Sequence, residues 1–95
     1  MTTDEQFALI DELEGFANGG GYAYDSVTRR VRSIYLTLRL QRLPGFELTA
    51  VEESATILYS ARRHTQLPGG LEGARVNILS DCAKLRRIAE SRRLA

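Results

Sequence analysis

Residues 26–43 decide the fold, and they read SVTRRVRSIYLTLRLQRL. As a helix, this stretch places Val27, Val31, Ile34 and Leu38 on one face, three or four residues apart. As a strand, residues 34–40 alternate apolar and polar side chains, and β-branched residues are frequent. Eighteen residues without glycine or proline are long for a strand and ordinary for a helix. We therefore predict a helix at 26–43, with a strand at residues 31–40 and an α+β fold as the alternative.

Start and stop signals predict three further helices around this stretch. Thr2 and Glu5 have the spacing of a capping box before a helix at 4–17, and Thr49 and Glu52 have the same spacing before a helix at 49–64. Glycine and Pro-Gly breaks separate the elements, and a last helix is expected at 71–92. The predicted fold class is all-α, a small four-helix bundle-like domain, with residues 1–95 forming a single domain.

Each predicted helix carries an apolar stripe that indicates its buried side. Phe7 lies off the stripe of the first helix. The predicted core positions are Leu9, Ile10, Leu13, Phe16 and Ala17 in the first helix, Val27, Val31, Ile34 and Leu38 in the second, Val51, Ala55 and Leu58 in the third, and Leu71, Ala74, Ile78, Cys82, Leu85 and Ala89 in the fourth.

The charges are segregated along the chain, although the net charge is only +1. Residues 1–25 contain six acidic and no basic residues, whereas residues 26–95 contain all 13 lysines and arginines against six acids. Such segregation can mark a surface for an anionic partner. The other interpretation is that the acidic first helix simply lies against the basic second helix.

The chemistry-bearing residues do not form a recognisable active site. His64 and Cys82 are the single histidine and the single cysteine, and Cys82 falls on the core stripe of the fourth helix. Residues 19–21 are three glycines without the lysine or the spacing of a phosphate-binding loop. We predict no enzyme activity, no catalytic, cofactor-binding or metal-binding residue, and no small-molecule substrate.

Hydropathy predicts no membrane segment, because no run approaches the ~18 consecutive apolar residues that a spanning helix needs. Acidic residues near Met1 are unlike the basic start of a signal peptide. A cytoplasmic location is the expectation.

A second apolar stripe on the helix at 26–43 indicates a partner interface. Leu36, Leu40 and Leu43 lie opposite its core face, and the charged rim consists of Arg29, Arg32 and Arg39. We predict a small interaction or regulatory protein that acts by protein–protein contacts, either as a homo-oligomer such as a dimer or by binding a partner protein. Alternatively, this is the central helix of the bundle and both stripes are covered internally.

Nucleic-acid binding is the alternative function. It would use the arginines of the second helix and the basic last turns of the fourth, with Tyr22 and Tyr24 beside the second helix. A pI near 7.9 and the acidic first helix argue against it, and the two tyrosines are equally suited to closing one end of the bundle. The candidate contacts are Arg29, Arg30, Arg32, Arg39 and Arg42.

Overall fold

A computed structural model describes residues 1–18, 24–59 and 70–94 of the chain, and these residues form four helices. The helices are α1 (Thr3–Phe16), α2 (Tyr24–Leu40), α3 (Gly45–Leu58) and α4 (Gly70–Leu94). The all-α prediction is confirmed, and no strand occurs in the described parts of the chain. The α+β alternative is wrong, because a strand at residues 31–40 would bury Leu36 and Leu40 beside Ile34, whereas both leucines are exposed.

The helices pack so that α1 and α3 each contact both α2 and α4. The 25 residues of α4 span about 37 Å at ~1.5 Å per residue. This is most of the 42 Å length of the molecule, whose other two dimensions are 24 and 19 Å. The other helices are shorter, and α1 and α3 both pack along α4.

The core is assembled from the predicted stripes. The described core positions of α2, α3 and α4 are all buried, as are Ile10 and Leu13 of α1 and its C-cap residue Ala17. Leu9 and Phe16 are partly buried against this cluster. Phe7 also packs against it, although the sequence pattern placed it off the stripe, because α1 contacts helices on two sides and therefore buries a wider face. The side chain of Leu71 lies outside the described part of the structure.

The start of α1 confirms the first capping box. The Thr2 hydroxyl accepts a hydrogen bond of 3.1 Å from the Glu5 amide, and the Glu5 carboxylate accepts one of 3.2 Å from the Thr2 amide. The hydrogen bond from the Thr2 backbone lowers the pKa of Glu5. Two otherwise unpaired amides of the first turn are thereby satisfied within the chain.

The end of α2 comes three residues earlier than predicted, at Leu40. Arg42 has a positive φ of 63°, and its amide donates to the Arg39 carbonyl at 3.0 Å. The Leu43 amide donates to the Leu38 carbonyl at 3.2 Å, which completes a Schellman motif with an arginine at the position usually taken by glycine. The chain changes direction at Arg42, and the Leu43 side chain therefore packs into the core beside the end of α2.

The start of α3 corrects a second boundary, because the helix begins at Gly45 and not at Thr49. Pro44 is the N-cap residue and makes no side-chain capping bond, so the predicted capping box of Thr49 and Glu52 does not form. The earlier start adds one turn and buries Leu48. The described part of α3 ends at Leu58, and the predicted residues 60–64 lie outside the described residues, as do His64 and Tyr22.

Candidate functional site

The predicted second stripe of α2 is only partly at the surface. Leu36 is 49% and Leu40 81% exposed, whereas Leu43 is 2% exposed. Leu43 is therefore a core residue and does not extend the stripe. The physical reason is the chain reversal at Arg42, which an uninterrupted helix to residue 43 would not contain.

Phe46 is an exposed aromatic residue that the sequence analysis missed. It lies in the first turn of α3 and is 79% exposed. The short connection at residues 41–44 places the end of α2 and the start of α3 together, so Leu40 and Phe46 lie at the same end of this helical hairpin. The sequence could have indicated this exposure in two ways. Phe46 directly follows Pro44 and Gly45, which can begin a helix, and it lies outside the helical spacing of the core residues Leu48, Val51 and Ala55.

A surface groove of about 650 Å³ runs between α2 and α3. The Tyr35 hydroxyl of α2 lies 3.4 Å from the Thr49 hydroxyl of α3 across this groove. The guanidinium of Arg39 lies directly over Gly45, where an added Cβ would collide with its Nη1. The groove is lined by Tyr35, Arg39, Gly45, Phe46, Thr49, Ala50 and Glu53.

Arg39 and Glu53 are charged groups at different positions along this groove. Arg39 lies at the end of the groove near the turn, because its guanidinium is over Gly45, the first residue of α3. Glu53 follows Gly45 by eight residues, which is about 12 Å along the helix axis at ~1.5 Å per residue. Both side chains are exposed, and neither has an ion pair within the described residues. We call the surface formed by the groove walls and the exposed leucines beside them the α2–α3 face; it consists of Tyr35, Leu36, Arg39, Leu40, Gly45, Phe46, Thr49, Ala50 and Glu53.

Two of the candidate arginines form ion pairs with neighbouring helices. Arg30 binds the Glu12 carboxylate of α1 through two nitrogens, with Nη2 2.8 Å from Oε1. This hydrogen bonding lowers the pKa of Glu12 and raises the pKa of Arg30. Arg32 binds Glu52 of α3, with Nη1 at 3.1 and 3.0 Å from the two carboxylate oxygens. Its guanidinium also lies 4.9 Å from the centre of the Tyr35 ring.

The arginines of α4 also contact the other helices. Arg86 bridges Asp11 and Glu14 of α1, at 2.5 and 2.8 Å. The Arg92 guanidinium donates to the main-chain oxygens of Gln41, at 2.9 Å, and of Arg42. The acidic α1 therefore pairs at the surface with basic residues of both α2 and α4, and the segregated charges partly neutralise each other within one chain. Arg29, Arg39 and Arg42 are the predicted contact arginines for which the described chain shows no carboxylate partner.

Two buried ionisable groups, Asp81 and Cys82, are neighbours in α4. Burial raises the pKa of the Cys82 thiol to about 12, and the nearby Glu14 and Asp81 act in the same direction. Burial also raises the pKa of Asp81, which Lys84 partly opposes from 3.8 Å. Among the described residues, no three or more histidine, cysteine or carboxylate side chains converge as metal ligands would. Cys82 is thus a packing residue in an apolar environment.

A smaller groove of about 320 Å³ lies between α1 and α4, beside Phe7, Arg86, Arg87 and Glu90. Its Arg86 guanidinium is already held by Asp11 and Glu14. The α2–α3 face differs from this groove in its exposed apolar residues, Leu40 at 81% and Phe46 at 79%.

Within residues 1–18, 24–59 and 70–94, no helix has the combined length and hydropathy that crossing a bilayer requires. The candidate functional site is therefore the α2–α3 face, which combines exposed apolar residues with one cation and one anion beside a groove between two helices. Comparison of the chain with known protein families, with curated proteins and with solved structures finds no match.

Proposed function

We propose that this protein is a non-enzymatic interaction protein that acts through protein–protein contacts of the α2–α3 face. The observation that carries the proposal is the exposure of Leu40 and Phe46, 81% and 79%, at one end of a helical hairpin whose core side is fully packed. Large apolar side chains grouped on a monomer surface are favoured at sites of association, because contact removes them from water.

The rest of the face has the composition expected of a protein interface. Aromatic and arginine side chains are enriched at such surfaces, and charged groups are found at the rim. Here Phe46 and Tyr35 accompany the apolar residues, while Arg39 and Glu53 supply opposite charges at the edge of the groove. Because the groove lies between two regular helices, its shape is held by the bundle core and needs little ordering on binding.

The test is an affinity capture from an extract of the native cell. The tagged wild-type chain is compared with a Leu40→Glu, Phe46→Glu double variant, with and without nuclease treatment. We expect the wild type to retain specific proteins after nuclease treatment and the double variant to lose them, since two carboxylates in an apolar contact are costly to desolvate.

The matched control is a Val76→Glu, Leu79→Glu variant, because these residues are 54% and 45% exposed on α4, a helix that contributes no residue to the proposed face. It should retain the same proteins as the wild type. Equal retention by all three chains, or retention of nothing together with a monomeric chain, contradicts the proposal.

Nucleic-acid binding is the second candidate, favoured by exposed arginines on and after α2. The described chain shows no carboxylate partner for Arg29, Arg39 and Arg42, so these three could contact phosphates. Arg30 and Arg32 already bind carboxylates of the same chain. We expect affinity for generic duplex DNA at physiological salt to be no better than the ~10⁻⁴–10⁻⁶ M of non-specific contacts. Tight, sequence-selective binding in a gel-shift assay would favour this function instead.

We also propose that the protein acts in the cytoplasm. The chain's single cysteine is buried in the core, so the fold does not depend on an oxidising compartment.

A further inference from the structure

We infer that the α2–α3 face binds the same face of a second copy of this chain around a twofold axis. The inference rests on the proposed function and names the partner. It starts from the order of charges along the groove, with Arg39 at the end near the turn and Glu53 about 12 Å further along α3 at ~1.5 Å per residue.

A twofold axis through the middle of the groove reverses the order of charges in the second copy. Arg39 of each chain then faces Glu53 of the other, and two identical ion pairs form. A twofold interface requires a patch that is complementary to itself. One cation and one anion at opposite ends of the groove meet that requirement, whereas two charges of the same sign would not.

The exposed apolar residues of the face lie between the end near the turn and the middle of the groove. Leu40 and Phe46 lie at the end near the turn, and Leu36 and Ala50 lie closer to the middle, where the axis would pass. In the twofold arrangement Leu40 and Phe46 of each copy would therefore lie beside an Arg39–Glu53 ion pair, with Leu36 and Ala50 between the two pairs. Contact between the two copies removes the exposed leucine and phenylalanine side chains from water in both chains at once.

The local electrostatics at Arg39 favour an incoming carboxylate. Its guanidinium lies over Gly45, the first residue of α3, where the helix dipole is positive. The N-cap residue Pro44 provides no side-chain acceptor for the first amides of that helix. Glu53 of the second copy would therefore meet a guanidinium and a helix N-terminus together. With a net charge of only +1, two copies also repel each other little at long range.

The first test is the mass of the wild-type chain by sedimentation and light scattering from micromolar to near-millimolar concentration. We expect a reversible shift from 10.6 kDa to twice that mass. A chain that stays monomeric over the whole range overturns the inference.

The second test uses charge reversal. Arg39→Glu and Glu53→Arg should each weaken the dimer on the order of tenfold or more, because each places two like-charge pairs across the interface. Mixing the two variants in equal amounts should restore a dimer of wild-type strength, since the mixed pair has an attractive contact at both ends. An interaction within one chain cannot produce this rescue.

The controls are Arg87→Glu and Glu90→Arg, which make the same charge changes at exposed positions of α4. They should leave the dimer unchanged, and circular dichroism should show that all variants keep their helices. A dimer that is insensitive to Arg39→Glu and Glu53→Arg, or a mixture without rescue, overturns the inference.

The two proposals fail differently. If the wild type is monomeric but captures a protein that the Leu40→Glu, Phe46→Glu variant loses, the second-copy inference falls and the proposed function stands. If the chain neither dimerises nor captures a protein through this face, both fall.

Discussion

The hydroxyl of Tyr59 donates a hydrogen bond of 2.9 Å to the main-chain oxygen of Phe16. The two rings also meet edge to face, with their centroids 6.3 Å apart and an interplanar angle of 90°. This pair links the residue after α3 to the last residue of α1. Burial raises the pKa of Tyr59, so the hydroxyl keeps its proton and remains a donor at neutral pH.

Tyr59→Phe should lower the free energy of unfolding by about 0.5–1.5 kcal/mol, because it removes one hydrogen bond and keeps the ring contact. Denaturant titration measures the change. Tyr35→Phe is the control, since its hydroxyl makes only an exposed contact of 3.4 Å to Thr49. An equal loss in both variants would mean that the bond to Phe16 contributes nothing specific.

Leu85→Ala should lower the free energy of unfolding by about 2–4 kcal/mol, because it deletes methyl groups from a fully buried position and leaves a cavity. Leu79→Ala is the comparison on the same helix, where the side chain is 45% exposed. We expect a much smaller change there, within about 1 kcal/mol. Similar losses in the two variants would contradict the packing of α4 described above.

Cys82 should react slowly with a thiol reagent in the native protein and rapidly after denaturation. The thiol is buried and its pKa is raised to about 12, so the reactive thiolate is scarce and inaccessible. Ser80→Cys provides the control, since Ser80 is exposed on the same helix. That variant should label one thiol at once and the second slowly. Rapid labelling of the native wild type would contradict this placement.

Arg42→Gly should raise the free energy of unfolding by about 0.5–1 kcal/mol. Glycine adopts the positive φ of 63° without the steric penalty that a side chain has there, and this penalty is larger than the entropic cost of ordering a glycine. The carbonyl of residue 42 remains available to Arg92. Gln41→Gly, one residue earlier, should give no gain, because the positive φ belongs to Arg42. Thermal melts of both variants make the comparison.

Local patterns accounted for most of the helices and their buried sides. Val27, Val31, Ile34 and Leu38 were predictable because helical spacing alone places them on one face. The start of α3 was not, because Thr49 and Glu52 have the same spacing inside a helix as they have at its start. The exposure of Phe46 followed from that boundary and was missed with it.

By itself, then, the sequence determined the helical class, the start of α1 and the core faces, since each depends on residues within a few positions of one another. The tertiary structure alone decided which groups remain at the surface. Arg30 and Arg32 resemble Arg39 in the sequence, yet their charges are met by Glu12 and Glu52 from other helices. Leu43 resembles Leu40, yet it is buried because the backbone reverses at Arg42. These outcomes depend on contacts between residues far apart in the chain and on a backbone conformation that arginine rarely adopts, and neither has a local signal.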